Sequence, residues 1–349
     1  VDACLWRYGI RQPRLYSLGY VHNNCFSGGT EFITSDGIKT LAECEDQDVC
    51  VLGRNAGWKN ATVSSFGVQK TVDLELERYG CRKVIRTTWN HRWIVRKGRN
   101  KQREVLTRDL EEGRRLCGIH GGVESSVRPS AFGIAHGIVF GDGTAPGGKW
   151  NPPAWVTLCG DKDRQLLKWF PNSPTAEIEG VGIQVRDLPR QWKQTPPLSE
   201  SKSYLYGWLA GYFAADGTVT GGQARISSAS EQNLRFVASV CACLGIGANP
   251  VTVEKRKGYG EAESPLYSIT LIPGSLREDF FLIESHREKF LQMDSKRPAE
   301  WKVVGVEETG QEETVYCATV PDGAAFAFAG NILTGNCGGF CVRGGKGQF

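Results

Sequence analysis

Two kinds of hydrophobic spacing alternate along the chain. Val72, Leu74 and Leu76 alternate with Asp73, Glu75 and Glu77, the period-2 pattern of a strand with one buried face. KVIRTT and RWIVR predict further strands, REVLTRDLEEGRRL a strand and a turn, and TSDG and GRNAGWKN the loops between them. Beyond residue 121 the spacing becomes helical. PSAFGIAHGIVFGDG and YLYGWLAGYFAADG are apolar stretches with a small residue every fourth position, at Gly133, Gly137 and Gly141, and at Gly207, Gly211 and Ala215. Such a stripe lies along one helix face and lets two backbones approach closely. EQNLRFVASVCACLGI predicts an amphipathic helix through Leu234, Val237, Cys241 and Leu244. PLYSITLI predicts a strand, and the Pro- and Ser-rich DLPRQWKQTPPLSES connects two halves. Strands return in WKVVGVEE, ETVYCATV and AAFAFAGNIL.

The composition is globular: 23% of the 349 residues are charged and 40% hydrophobic. A net charge of +4 is too small to advertise a nucleic-acid-binding arm. No run approaches the roughly 18 apolar residues of a membrane span, and the first residues lack the apolar core of a signal peptide. The 12 cysteines are scattered, which excludes a small disulfide scaffold and makes a reducing cytoplasm the expected setting. Only 1 Met is present, and residues 1–24 and 337–349 read as fragments of another protein.

The ends of the β-rich region carry the first chemistry. Asn24 precedes Cys25, and Asn336 precedes Cys337. A cysteine that opens a segment can attack the carbonyl before it and turn a peptide bond into a thioester. An asparagine that closes a segment can cyclise onto its own carbonyl and break the chain. A cysteine beyond it can receive the acyl group. The residues around these positions resemble the conserved blocks of inteins: CFSGGTEFITSDG the opening block, RTTWNHRWIV the second, and ETVYCATVPDGAAFAFAG with NILTGNC the closing pair. The resemblance implies a β-rich Hint horseshoe and self-splicing without a cofactor. Cys25 makes the acyl shift, His91 protonates the leaving amide, Thr88 polarises the scissile peptide, Cys337 accepts the acyl group and Asn336 cyclises. Three positions depart from that pattern. Gly335 and Ala324 stand where the family often has histidines, and Cys317 follows Tyr316 where it often has Asp. The expectation is that Cys317 lies near Asn336 and tunes the last steps; a buried strand cysteine is the other reading.

LAGYFAADG, Leu209 to Gly217, resembles the signature of LAGLIDADG homing endonucleases, and AHGIVFGDG is a weaker second copy. This implies an α/β insert with pseudo-two-fold halves, its two glycine-striped helices packed together and Asp142 and Asp216 brought side by side. Each aspartate precedes a Gly that can end the helix. Two adjacent carboxylates repel unless a cation bridges them, so Mg²⁺ or a similar divalent ion is expected there, with double-stranded DNA as the partner. Between residues 121 and 298, 19 Lys and Arg face 18 Asp and Glu, so any basic surface comes from arrangement. Candidates for phosphate contact are Lys162, Arg164 and Lys168, and the run Lys255, Arg256 and Lys257; solvated turns fit them as well.

The organisation expected is therefore a flank over 1–24, Hint parts over 25–120 and 299–336, an endonuclease over 121–298 and a flank over 337–349, acting as a monomer in a phage or prokaryotic cytoplasm. The joined flanks resemble a phosphoadenosine-phosphosulfate reductase-like protein, in which Cys4, Cys337 and Cys341 would come together after splicing.

Overall fold

The computed structural model describes residues 25–54, 57–78, 80–98, 101–119, 122–147, 151–257, 263–293, 300–320 and 325–335. Its β-rich part is made of β1 (Phe26–Ser27), β2 (Glu31–Thr34), β3 (Gly37–Thr40), β4 (Asp48–Leu52), β5 (Trp58–Arg78), β6 (Cys81–Thr87), β7 (Arg92–Lys97), β8 (Lys101–Leu106) and β9 (Arg115–Leu116). The insert follows with α1 (Ala131–Asp142), β10 (Gly143–Thr144), β11 (Ala154–Cys159), α2 (Gly160–Arg164), β12 (Thr175–Ile178) and β13 (Gly182–Leu188). Its second half holds α3 (Lys202–Asp216), β14 (Gly217–Thr220), β15 (Gln223–Ser228), α4 (Glu231–Leu244), β16 (Thr252–Lys257), β17 (Glu263–Leu271) and α5 (Glu284–Leu291). The chain then returns to the first part through β18 (Trp301–Thr319), β19 (Phe326–Phe328) and β20 (Ile332–Thr334).

Among the described residues, β1–β9 and β18–β20 form one sheet of twelve strands. Its backbone is the long antiparallel pair of β5 and β18, paired from Glu77–Lys302 to Thr62–Thr319 with three shifts of register. The alternation of Val72, Leu74 and Leu76 is realised in β5, with all three side chains fully buried. Two expectations are corrected here. GRNAGWKN is not loop throughout, because β5 begins at Trp58 and pairs Lys59 and Asn60 with β4. WKVVGVEE and ETVYCATV are not separate strands. They are one strand, β18, whose register shifts between Glu308 and Glu312, where Gly310 takes a positive φ; two extra residues are absorbed there as a bulge. AAFAFAGNIL folds into the β19–β20 hairpin, turning at Gly330 and Asn331, both left-handed.

The insert is built twice on one plan. Its sheets run β10-β11-β13-β12 and β14-β15-β17-β16, the same order with the same antiparallel pairing. Each half starts with a glycine-striped helix capped by a serine: Ser130 accepts the Gly133 N–H and Ser201 the Tyr204 N–H. α1 and α3 are the seam. A Cβ on Gly137 would sit 2.0 Å from the Trp208 carbonyl oxygen, and one on Gly211 would sit 2.2 Å from that of Ile134. The helices touch backbone to backbone, which only glycine permits. The halves differ in filling. The second has the amphipathic α4, with Leu234, Val237, Cys241 and Leu244 buried as its spacing predicts. In the corresponding place the first has only short α2 and a turn of 3₁₀ helix over Leu167–Trp169. Among the described residues no helix is long and apolar enough to cross a membrane.

Candidate functional site

The first cluster is buried in the twelve-stranded sheet. Cys25 leads into β1, which is wedged between β6 and β18 by the pairings Phe26–Thr87 and Phe26–Tyr316. Its carbonyl accepts hydrogen bonds from Thr87 Oγ1 (3.0 Å) and from the Thr88 N–H (3.0 Å). Its own N–H, the amide of the Asn24–Cys25 peptide, donates to Thr88 Oγ1 at 3.2 Å. The Thr88 carbonyl accepts the His91 N–H at 3.1 Å, so the two residues between them close a turn. The Thr-x-x-His spacing thus sets hydroxyl and imidazole on the same small loop. The His91 ring packs on Phe26, with centroids 4.1 Å apart, and on Trp93 at 4.9 Å. Its Nε2 lies 2.7 Å from Thr334 Oγ1. Cys25, Thr88, His91 and Thr334 are all at most 2% exposed.

The structure therefore brings together Cys25, Thr88, His91 and the strand that runs toward the second junction. Asn24, Asn336, Cys337, Ala324, Cys4 and Cys341 lie outside the described residues. Cys317 is fully buried in the core that also holds Cys25 and Phe26, and its thiol approaches the Ala318 carbonyl at 3.6 Å. Its expected proximity to Asn336 concerns a residue outside the description. Thr334 was missed by sequence reasoning. The available signal was a hydroxyl in the otherwise apolar run Ile332, Leu333, Thr334.

The second cluster lies at the end of the α1–α3 seam. The Cβ position of Gly141 is 2.6 Å from the Ala215 Cβ and 3.2 Å from Asp216 Oδ2, so the stripe delivers Asp216 against the end of α1. Asp142 and Asp216 are exposed at the mouth of the seam, yet their carboxyls are set in among protein atoms. Removal from bulk water lifts both above the ordinary carboxylate range, Asp216 to about 6, with the charge of Asp142 as the second cause. The glycines after them do not end the helices in the left-handed conformation. Gly143 and Gly217 are extended, at φ −75° and −88°. Space explains them instead, because a Cβ would sit 2.3 Å from the carbonyl oxygens of Val139 and Phe213 respectively.

Lys193, in the connection between the halves, completes this cluster. Its ammonium donates to the carbonyls of Phe140 and Gly141 at the end of α1. Burial lowers its pKa, and the charges of Asp216 and Asp142 oppose that shift. Sequence reasoning passed over it because the connection carries no periodic pattern. A cation shared by Asp142 and Asp216 fits the donor set. Both are hard oxygen ligands, and no larger group of His, Cys, Asp or Glu competes among the described residues.

The basic candidates separate. Lys162, on α2, is exposed and lies near enough to Asp142 to oppose the rise in its pKa. Arg164 pairs with Glu177 at 3.3 Å, and Lys168 lies over the Trp169 ring. Lys255 and Arg256 do not form one patch, because they are neighbours in β16 and a strand alternates its faces; the side chain of Lys257 lies outside the description. Arg256 pairs with Ser264, on the polar face shared with Thr218, Arg225 and Thr270. Lys255 pairs with Pro265, in step with Tyr267 and Ile269 on the helix-covered face. Arg225 is therefore the companion of Arg256 that the sequence did not reveal.

Residues 203–281 match the family model of a LAGLIDADG-like domain. The stretch begins one residue inside α3 and covers nearly all of the second half of the insert. A ribonucleoside-diphosphate reductase large subunit of Invertebrate iridescent virus 6 is 25% identical over 356 residues, taking in 90% of this chain and 36% of that protein. The chain thus spans about a third of this relative's length. The resemblance of the flanks to a phosphoadenosine-phosphosulfate reductase-like protein gains no support, since the relative bears the name of a different reductase. Among solved structures, a mutant Ssp DnaB mini-intein aligns with 89% of this chain and 98% of its own at 9% identity and a TM-score of 0.33. I-DmoI, solved in complex with DNA and Mn, aligns with 48% of this chain and 99% of its own at 14% identity and a TM-score of 0.28.

Proposed function

We propose that residues 25–336 are a self-splicing element interrupted by a double-motif LAGLIDADG endonuclease. The observation that carries the reading is the meeting of Cys25, Thr88 and His91 with the strand that leads to Asn336. In the first step the Cys25 sulfur bonds to the Asn24 carbonyl carbon, the carbon–nitrogen bond breaks, and the Cys25 nitrogen leaves with a proton from His91. Thr88, which accepts the hydrogen bond of that same N–H, polarises the scissile peptide. A positioned general acid contributes roughly 10²–10⁴-fold. Cys337 then takes the acyl group, its thiol proton passing to the Cys25 sulfur. Asn336 cyclises, breaking its peptide bond to Cys337. The freed Cys337 amine finally displaces the sulfur, leaving an ordinary Asn24–Cys337 peptide.

In the insert, Asp142 and Asp216 hold the divalent cation, which when bound supplies a Lewis acid for phosphodiester hydrolysis of double-stranded DNA. Lys193 keeps a positive charge beside them. The polar face bearing Arg225 and Arg256 lies against the duplex, and Lys162 stands beside the carboxylates where a phosphate would approach.

Incubating the chain under reducing conditions at neutral pH and weighing the products tests the splicing half. A 312-residue product (25–336) and a 37-residue ligated peptide are expected, and unreacted chain alone would overturn it. Metal-dependent cutting of a duplex carrying the uninterrupted host sequence, lost in Asp142→Ala and in Asp216→Ala, tests the endonuclease half.

A further inference from the structure

We infer that Thr334 is a positioning residue for His91, fixing which imidazole nitrogen carries the proton at the first junction. The inference rests on the splicing reading and adds to it a residue on the far side of the ring.

Thr334 is fully buried in a short strand whose other two residues, Ile332 and Leu333, are apolar. Burial alone would favour valine, which has the same shape without a hydroxyl to satisfy. The hydroxyl has two partners. It lies 2.7 Å from His91 Nε2 and 3.3 Å from the Gly335 carbonyl. The Gly335 carbonyl can only accept, and the inference assigns the single hydroxyl proton to it. Thr334 Oγ1 then accepts from His91, and the imidazole carries its hydrogen on Nε2. In the neutral ring Nδ1 is left as the basic nitrogen, so a proton collected by His91 and passed to the Cys25 amide travels through Nδ1.

The anchor is rigid. β20 is held to β7 by the pairing of Thr334 with Trp93, and the Gly335 N–H reaches the Arg92 carbonyl at 3.3 Å. Phe26 and Trp93 wedge the ring from other sides. Rotation of the imidazole would break the short Nε2 contact. β20, which precedes Asn336 in the sequence, thereby sets the acid for the bond before Cys25, at the opposite end of the element. With Gly335 in the place often held by histidine, this is the imidazole that the described residues bring closest in sequence contact to the second junction.

The test uses the full chain carrying Asn336→Ala and Cys337→Ala, so that only the first step runs. Hydroxylamine traps the thioester and releases residues 1–24, measured by mass spectrometry. Thr334→Val should slow release by about 10- to 100-fold, within the range of a positioned general acid, and Thr334→Ser should restore it to within about threefold. Nitrogen-15 spectra of the imidazole should show the Nε2–H tautomer in the parent and its loss in Thr334→Val. Release at the parental rate in Thr334→Val would overturn the inference. So would a serine variant no faster than the valine variant, or an unchanged tautomer. A parent that never yields the trapped fragment would fail the splicing reading instead, and the tautomer measurement would still decide the role of Thr334.

Discussion

The two candidate sites of this chain differ most in their access to water. Cys25, Thr88, His91 and Thr334 are sealed inside the twelve-stranded sheet, whereas Asp142 and Asp216 stand exposed at the end of a helix seam. The difference follows from what each site would act on. A splicing site has its substrate built into the chain, so it needs no entrance, and sealing it excludes water from the thioester. A DNA-cutting site must admit a duplex, and two ionised carboxylates side by side repel unless a cation lies between them. Burial here is therefore a poor guide to function unless one asks where the substrate comes from.

The largest expected effects would split the sites cleanly. Cys25→Ala should abolish trapped thioester and ligated product while leaving divalent-cation binding to the insert unchanged. Asp216→Asn should lower DNA cleavage on the order of 10³-fold, the scale of a lost Lewis acid, with splicing at the parental rate. Mass spectrometry of the products and a nicking assay on the same preparations measure both. Splicing lost in Asp216→Asn would show that the two sites are not separate.

Next in size is the seam. A side chain at Gly137 meets the Trp208 carbonyl and cannot be accommodated by rotating a neighbour, since the obstacle is backbone. Gly137→Val should cost about 3 kcal/mol or more in denaturant unfolding, at the upper end of overpacking. Gly29→Ala, which meets nothing within 4 Å, should stay within about 0.5 kcal/mol. Equal effects at the two positions would mean that the helices do not meet on their glycines.

That seam was legible in the sequence because its signal is geometric: a small residue every fourth position, in two copies, each ending in Asp-Gly. The doubled halves were expected from the resemblance and not from any period, since strands as short as β10 leave too few residues to show one. The cysteine, threonine and histidine of the first cluster were legible only through the resemblance of their surroundings to intein blocks, since as isolated residues they fit a buried core equally well. Thr334 was not, because its importance comes from β20 lying against β7, a contact between segments far apart in the chain. Lys193 escaped for the same reason: its loop has no pattern, and only the fold carries it back to the end of α1. Gly143 and Gly217 do follow the last residues of their helices, as the sequence suggested, but in an extended conformation; glycine here answers a steric demand from the preceding turn.

A smaller effect tests how independent the two parts are. Arg78, at the end of β5, is 3% exposed and reaches across to the insert. It donates to Asn249 Oδ1 at 3.1 Å and to the Ala248 carbonyl, and also to the Gly330 carbonyl in the turn of the β19–β20 hairpin, with Trp301 stacked on its guanidinium. Asn331, in the same turn, donates to the carbonyls of Ile119 and Ile246. The second half of the insert thus holds the turn of the hairpin that carries Thr334. Asn249→Ala removes one acceptor from a buried cation and should cost about 2 kcal/mol. It should also speed amide exchange across residues 326–334. Faster exchange confined to the insert would make the two parts neighbours and nothing more.

The finest contrast is in pH. The Asp216 carboxyl, raised to about 6, holds its proton below that pH, and Asp142 is shifted in the same direction. A cation needs the ionised forms, so its affinity should be constant well above pH 6 and fall below it. The fall should approach about tenfold per pH unit for each proton that must be released. Mn²⁺ titrations between pH 5 and 8 measure this directly. Asp142→Asn sharpens the assignment. Removing the neighbouring charge should lower the pKa of Asp216, but not to the ordinary 3.8, because desolvation is the larger cause and remains. An Asp216 that returned fully to its ordinary value in that variant would show that repulsion, and not the seam's exclusion of water, sets the site.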